Sequence, residues 1–399
     1  MTIAIYTLTS ELHDEQAVGA VTQEFLNSLD ITYKLRGSDY ADYGSASLDL
    51  IYVRTGGTEG FFKRLLPMLQ EKSERPFYLL TSGKSNSLAA SMEILSYLRQ
   101  NNLKGEILHG RPEYISKRIN LLAKAGEALR SLQDCRLGII GKPSDWLISS
   151  HADKEAIRQR LGISLIDIPM QELLDTITVT PLRATSEQSS NNAVREALPV
   201  AYQIYDALKT IIKRYELQGF TIRCFDLLTA VHNTGCLALA KLNAEGIVAG
   251  CEGDVPAMLS MKIAQSLVGV SGFQANPASI NPETGEILFA HCTIPLNMVE
   301  CYEFDTHFES GIGVGIRGYM KEGPVTIFKV SGDLSRSFIE EGVLMRNQAK
   351  PGLCRTQQII RLSHPDRTSY FLSDPIGNHH IILPGHHQAL LEELLNSIN

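Results

Sequence analysis

The sequence predicts an α/β chain: two Rossmann-like βαβ domains with parallel sheets, followed by a C-terminal antiparallel, barrel-like β domain. Three observations carry this expectation. Short apolar runs alternate with longer helical patterns through the first third of the chain, the grammar of a parallel sheet. A fresh apolar strand at Arg136–Gly141 restarts that alternation. Beyond about residue 270 helices become scarce, and β segments separated by Gly, Pro and Asn take over, as in an antiparallel barrel. The expected domains are therefore 1–134, 135–269 and 270–399.

In chain order, Ile3–Leu8 and Leu48–Val53 read as strands flanking a helix over Asp14–Leu29, and the turn Thr55–Thr58 leads into a helix over Phe61–Glu71. Phe77–Thr81 is a strand and Ser87–Asn101 a periodic helix. In the second domain, helix Ala152–Leu161, strand Ser164–Ile168 and helix Met170–Thr176 precede a polar loop, Thr185–Asn192. Helix Ala193–Glu216 and strands Thr221–Phe225 and Ile247–Gly250 follow. The third domain has expected β segments at Ile287–Ala290, Val325–Val330, Leu344–Arg346 and Thr368–Leu372, closed by a helix over Gln388–Ser397.

Composition excludes several functions. With 399 residues, 44% of them hydrophobic and 20% charged, the chain has the make-up of a multidomain globular protein. A net charge of −7 and the lack of any Lys/Arg-rich run argue against a nucleic-acid partner. No apolar run approaches the roughly 18 residues of a membrane span, and the N-terminus reads as a strand instead of a signal peptide. Seven cysteines without CxxC pairs fit free thiols in a reducing compartment, so a cytoplasmic location is expected.

Four polar clusters carry candidate chemistry. In Gly250-Cys-Glu-Gly-Asp-Val-Pro-Ala257, a strand end delivers Glu252 and Asp254 to where parallel sheets build crevices. Asp254 reads equally well as a helix N-cap ahead of Pro256, whereas Glu252 has no such structural use. In Phe289-Ala-His-Cys-Thr-Ile-Pro295, His291 is expected on a polar cleft wall. Cys292, its neighbour in a strand, should point the other way and be a buried small group. In Gly377-Asn-His-His-Ile-Ile-Leu-Pro-Gly-His-His387, four histidines suggest a metal. Adjacent His379 and His380 must face opposite sides of a strand, so one site takes only one of them. His307 and Glu309 form a period-2 polar pair, expected on one strand face. The segment Ser82-Gly-Lys-Ser-Asn-Ser87 lacks the frame of a phosphate loop, so nucleotide binding is not expected there.

The ordered set Asn86-Ser-Leu-Ala-Ala-Ser91, Cys251-Glu-Gly-Asp254, the approach to residue 276, His291-Cys292 and Gly377-Asn-His379 resembles the L-fucose isomerase family. That family belongs to the superfamily of L-fucose and L-arabinose isomerases. The resemblance implies aldose–ketose isomerisation of a monosaccharide through an enediol, with one Mn2+ held by a Glu, an Asp and a His. The Glu matches Glu252 and the His matches His379, but the Asp position reads Asn276 in Phe273-Gln-Ala-Asn276. An amide oxygen can ligate a cation, yet it carries no charge and cannot act as a base. A weakened divalent site is therefore expected. The implied roles make Glu252 ligand and acid/base, Asn276 a neutral ligand or substrate contact, and His379 the third ligand. His291, Asp254 and Glu309 are expected to contact the substrate. The substitution leaves two alternatives open: epimerase or aldolase-like chemistry in the same pocket, or a non-catalytic sugar-binding descendant. The resemblance also implies a homo-oligomer, with the N-terminal domain reaching into a neighbouring subunit's site.

Overall fold

The computed structural model describes residues 1–398 except 183 and 188. The expected loop over Thr185–Asn192 includes Gln188, which lies outside the described residues. Two compact units emerge, one of residues 1–130 with 393–399 and one of residues 131–392.

The first unit contains β1 (Ile3–Leu8), α1 (Glu15–Asn27), β2 (Lys34–Gly37), β3 (Leu48–Val53), α2 (Glu59–Lys72), β4 (Phe77–Leu80), α3 (Ser87–Gln100), β5 (Gly105–Leu108) and α4 (Pro112–Leu132). Its strands form one parallel sheet in the order β2-β1-β3-β4-β5. β1 and β3 are buried along their whole length, as strands covered on both faces must be. Alternate residues feed two cores. Tyr6, Leu8, Ile51 and Val53 pack with Phe62, Leu66 and Ile94 from α2 and α3. Ile3, Ile5, Leu50 and Tyr52 pack with Leu26, Ile115 and Ile119 from α1 and α4.

The second unit opens with β6 (Arg136–Ile140), α5 (Lys154–Leu161), β7 (Ser164–Ile168), α6 (Met170–Val179), α7 (Asn192–Tyr215), β8 (Gly219–Ile222), α8 (Asp226–Val231), α9 (Cys236–Ala244), β9 (Val248–Gly250) and α10 (Val255–Val268). Its parallel sheet runs β7-β6-β8-β9. There follow β10 (Phe273–Asn281), β11 (Glu286–His291), β12 (Cys301–Asp305), β13 (Gly315–Tyr319), β14 (Gly323–Val330), β15 (Ser337–Gln348), β16 (Thr356–Leu362), α11 (Thr368–Ser373) and β17 (His380–Pro384), and then α12 (Gln388–Ile398), whose residues from 393 onward belong to the first unit. Six of these strands close an antiparallel barrel in the order β10-β11-β16-β15-β14-β17, while β12 and β13 pair separately. Phe273, Ala275, Ile287, Phe289, Val325, Ile327, Ile360 and Ile382 join the same core as α7 and β8. Their spacing of two along each strand puts them on one face.

The expected strand over Thr368–Leu372 is instead the short helix α11, entered by a 3-10 turn at Pro365–Arg367. Five residues are too few to separate a period of 2 from 3.6, and Tyr370 and Phe371 serve packing. Tyr370 stacks on Phe338 with centroids 3.8 Å apart, and Phe371 lies 4.8 Å from the His380 ring. Thr221–Phe225 is also corrected, because β8 ends at Ile222. Among the described residues no helix is long and apolar enough to cross a membrane.

His380 is fully buried in that aromatic group. Its Nδ1 lies 3.1 Å from the Asn378 carbonyl and its Nε2 3.0 Å from the Tyr370 hydroxyl, an arrangement that suits a neutral ring. Burial, aided by the positive charge of Lys329, pushes it from 6.5 down to about 3. Its stabilising contribution is therefore in place above the unfolded value and is lost as pH falls from 6.5 towards 3. His380→Gln should lower Tm at about pH 7, and the gap from the parent should narrow by about pH 4.5. Melting curves across that window check this, and a constant gap would mean that His380 does not stay neutral.

Candidate active site and metal centre

The site starts where β9 ends. The chain turns through Cys251–Asp254 and enters α10, and Glu252 sits in the turn with a φ of +63°. A non-glycine residue held there costs roughly 1–3 kcal/mol and persists only when its surroundings dictate it. The surroundings are evident. Ser144 N–H donates to the Glu252 carbonyl at 2.9 Å, Gly253 N–H to the Ile222 carbonyl at 2.9 Å, and Cys251 N–H to Gln274 Oε1 at 2.9 Å. Gly253 has a φ of +71°, and a Cβ there would meet the Lys142 carbonyl oxygen at 2.5 Å, so only glycine fits.

Asp254 is the helix N-cap that its sequence allows, and its second oxygen meets a histidine and a lysine. Its Oδ1 accepts from Ala257 N–H at 2.8 Å, capping α10. Its Oδ2 accepts from His379 Nδ1 at 2.8 Å and lies 3.6 Å from Lys329 Nζ. Asp254, Lys329 and His379 all have fully buried side chains.

His379, just ahead of β17, and His291, at the end of β11, converge on Glu252. The Nε2 atoms of both lie 3.6 Å from Glu252 Oε1, with the two rings 5.4 Å apart. The other carboxylate oxygen, Oε2, accepts from Trp146 Nε1 at 2.7 Å. Trp146 stands in the loop after β6, edge-on to Phe225 at 4.8 Å.

Charge follows geometry. Burial would raise Glu252, but His379 and His291 overcome it and hold the carboxyl well below the usual carboxylate range. Burial likewise opposes Asp254, which Lys329 and His379 bring down to about 2. Burial would lower His379, yet Glu252 and Asp254 hold it up at about 9. Two carboxylates thus draw positive charge to one buried point.

A cleft of about 470 Å³, counting its open mouth, adjoins this point. It is lined by Glu252, Asn276, His291, Cys292, His307 and Glu309, among others. Asn276, on β10, has a buried amide oxygen without a hydrogen-bond partner among the described residues. His307 and Glu309 do not share a strand face as expected: β12 ends at Asp305, and both lie in the loop before β13. The glycines after them, Gly311 and Gly313, hold that loop with positive φ. His307 Nδ1 lies 3.0 Å from Ser310 Oγ, and burial and the charge of His291 lower it to about 4. Cys292 is buried, but it lines the same cleft as His291 because β11 stops at His291 and strand alternation no longer separates them. A hydrogen bond with Cys354 brings its thiol down to about 6 against the effect of burial.

Two residues that the sequence reading passed over belong to the site. Trp146 lies in a strand-end loop, the usual position for site residues in such sheets. Lys329 interrupts an apolar run, Val325-Thr-Ile-Phe-Lys-Val330, which is itself a signal because lysine is almost never fully buried unless paired.

The donor set fits a divalent cation. Among the described residues, Glu252, His291 and His379 form the one group of His, Cys, Asp and Glu with three ligand atoms within 4.8 Å of one another. His379 Nε2 is buried without a hydrogen-bond partner among the described residues, while its Nδ1 is engaged by a carboxylate, the arrangement that orients a metal-binding imidazole.

Trp146 is the chain's single tryptophan, so its emission reports on Glu252. Adding Mn2+, a paramagnetic quencher, should dim that fluorescence and EDTA should restore it, with no response in Glu252→Gln. Unchanged emission while calorimetry registers ion binding would place the ion away from Glu252.

No family model matches the sequence. The chain is similar to the sulfoquinovose isomerase of Priestia aryabhattai, 24% identical over 262 residues that make up 62% of this chain and 59% of that protein. It is similar to the sulfoquinovose isomerase of a Clostridium strain, 25% identical over 227 residues, 54% of this chain and 49% of that protein. The sulfoquinovose isomerase of Alkalicoccus urumqiensis is 21% identical over 265 residues, 61% and 59% respectively. The matches thus span less than two thirds of these curated relatives, and over that span the chain is similar to sugar isomerases.

Proposed function

We propose that this chain is a metal-assisted aldose–ketose isomerase of a monosaccharide, belonging to the superfamily of L-fucose and L-arabinose isomerases. The observation that carries the reading is the convergence of Glu252, His291 and His379, the first two of which line a cleft. The similarity to named sugar isomerases supports it. The proposed ion is Mn2+, held by Glu252, His379 and His291, with Asn276 as a neutral ligand or substrate contact. Bound there, a divalent ion would polarise the sugar's carbonyl oxygen and the neighbouring hydroxyl and so ease removal of the C2 proton.

The protein's own groups divide the remaining work. Glu252 is the acid/base that takes the C2 proton. Trp146 holds one oxygen of that carboxylate at 2.7 Å, which fixes the direction of the other. Asp254 is fully buried and engaged by Ala257 and His379, so it acts on the histidine and not on the sugar. Glu309, which lines the cleft and is exposed, is the second carboxylate available for proton transfer. The reaction conserves atoms: the C2 proton is returned to C1, and the hydroxyl proton of O2 is exchanged for one on O1.

The proposal keeps the division into domains 1–134, 135–269 and 270–399, with Glu252 on the second and Asn276, His291 and His379 on the third. Seven free cysteines favour a reducing cytoplasm, and a homo-oligomer completes the reading. Asn276 favours a second reading, in which the same pocket performs epimerase or aldolase-like chemistry or only binds sugar, because an amide cannot move a proton.

Proton NMR in D2O separates these, exchange with a ketose product marking an isomerase and exchange with a C2-inverted aldose an epimerase. The purified protein, with Mn2+ added and later chelated by EDTA, should exchange the C2 proton of one sugar in a panel of aldoses and ketoses. Glu252→Gln should abolish exchange, and Asn276→Asp should tighten Mn2+ binding by restoring a charge. Cleavage products without exchange would favour aldolase chemistry, and binding without either would leave a sugar-binding protein.

A further inference from the structure

We propose that Lys329 is a positioning residue for the metal-binding histidine, a buried counter-charge that fixes the Asp254 carboxylate against His379 Nδ1. The inference rests on the metal centre proposed above and goes beyond it to the group that orients the centre.

Lys329 lies on β14 on the same face as Val325 and Ile327, which belong to the apolar core. Its side chain is 0% exposed, and its Nζ has no hydrogen-bond partner among the described residues. The ion pair it makes is with Asp254, at 3.6 Å. Such a lysine is not explained by stability. Burying an ion pair costs several kcal/mol per ion, and apolar replacements of similar volume are often neutral or stabilising.

What the charge does is visible at Asp254. Oδ1 is fixed by the α10 cap, so the carboxylate plane is set by what lies at Oδ2. Two groups lie there, His379 Nδ1 at 2.8 Å and Lys329 Nζ at 3.6 Å. Lys329 draws Oδ2 towards the barrel wall, where the residue just ahead of β17 is His379. The histidine then has one orientation, with Nδ1 on Asp254 and Nε2 towards Glu252 Oε1. Without Lys329, Oδ2 keeps only the imidazole as partner, and the carboxylate and ring can rotate together. The loss would appear in metal affinity, because partners behind a ligating histidine typically govern 10–100-fold of it.

The test uses the full chain stripped with EDTA and titrated with Mn2+ alone, free ion being read by electron paramagnetic resonance. Lys329→Met should lower Tm, because Asp254 stays buried without its cation, and should weaken Mn2+ binding to the folded chain by about tenfold or more. Lys329→Arg should recover much of the affinity. Lys329→Gln gives the same reading as Met should the methionine variant not fold. The double variant Lys329→Met/Asp254→Asn should bind no worse than Asp254→Asn alone, since Lys329 acts through Asp254. Parental affinity in the Met and Gln variants, or losses that add with Asp254→Asn, would overturn the inference while leaving the metal centre standing. An unaltered chain that binds no Mn2+ would remove the metal centre itself and Lys329's part with it.

Discussion

A single buried carboxylate, Asp254, joins the pieces of the second unit that matter for function. Through Oδ1 it caps α10, and through Oδ2 it meets His379 from the start of β17 and Lys329 from β14. A capping bond is worth about 1 kcal/mol, which would not justify burying a charge. The larger quantity is the penalty for breaking the pair, on the order of 3–5 kcal/mol when one buried partner is left alone. Helix, barrel wall and histidine are thus held in register by groups that cannot separate cheaply.

That constraint lets Glu252 take a different role two residues away. It occupies a left-handed turn closed by Gly253 and by hydrogen bonds from Ser144 and Cys251, so strain in the backbone aims its carboxylate at the cleft. One carboxylate is spent on structure and orientation, and the other faces the solvent side with an indole on one oxygen. Two carboxylates so close in sequence perform different tasks because their surroundings differ.

The sequence was legible where burial on both faces imposed continuous apolar runs, as in β1, β3 and β6. It was mute at β2 and β5, whose residues are largely exposed or half-buried and so carry little hydrophobic signal. α4 does carry a helical signal, in the apolar spacing of Ile115, Ile119 and Leu122. Residue type and strand-end position point to Glu252 and His291 and the histidine cluster points to His379, whereas only the resemblance to the L-fucose isomerase family points to Asn276. Trp146 and Lys329 could not be joined to them, because the loop after β6 and the wall of β14 meet Glu252 and Asp254 only in three dimensions. His307 and Glu309 were placed on a strand by their spacing alone, and a loop held by two glycines of positive φ put them beside the cleft instead.

The same charges bear on what ion the proposed centre would prefer. Lys329 largely cancels Asp254, and Asn276 contributes no charge, so a cation would be attracted mainly by Glu252. A hard ion such as Mg2+ or Ca2+ depends on several charged oxygens and gains little here. The two imidazoles supply what the missing carboxylate does not, since nitrogen ligands favour transition metals over alkaline-earth ions. With His379 oriented by Asp254 and His291 brought in beside it, the centre exchanges charge for nitrogen donors. Asn276, where the resemblance implies an aspartate, would therefore alter which ion the proposed centre selects before it alters whether the centre binds one.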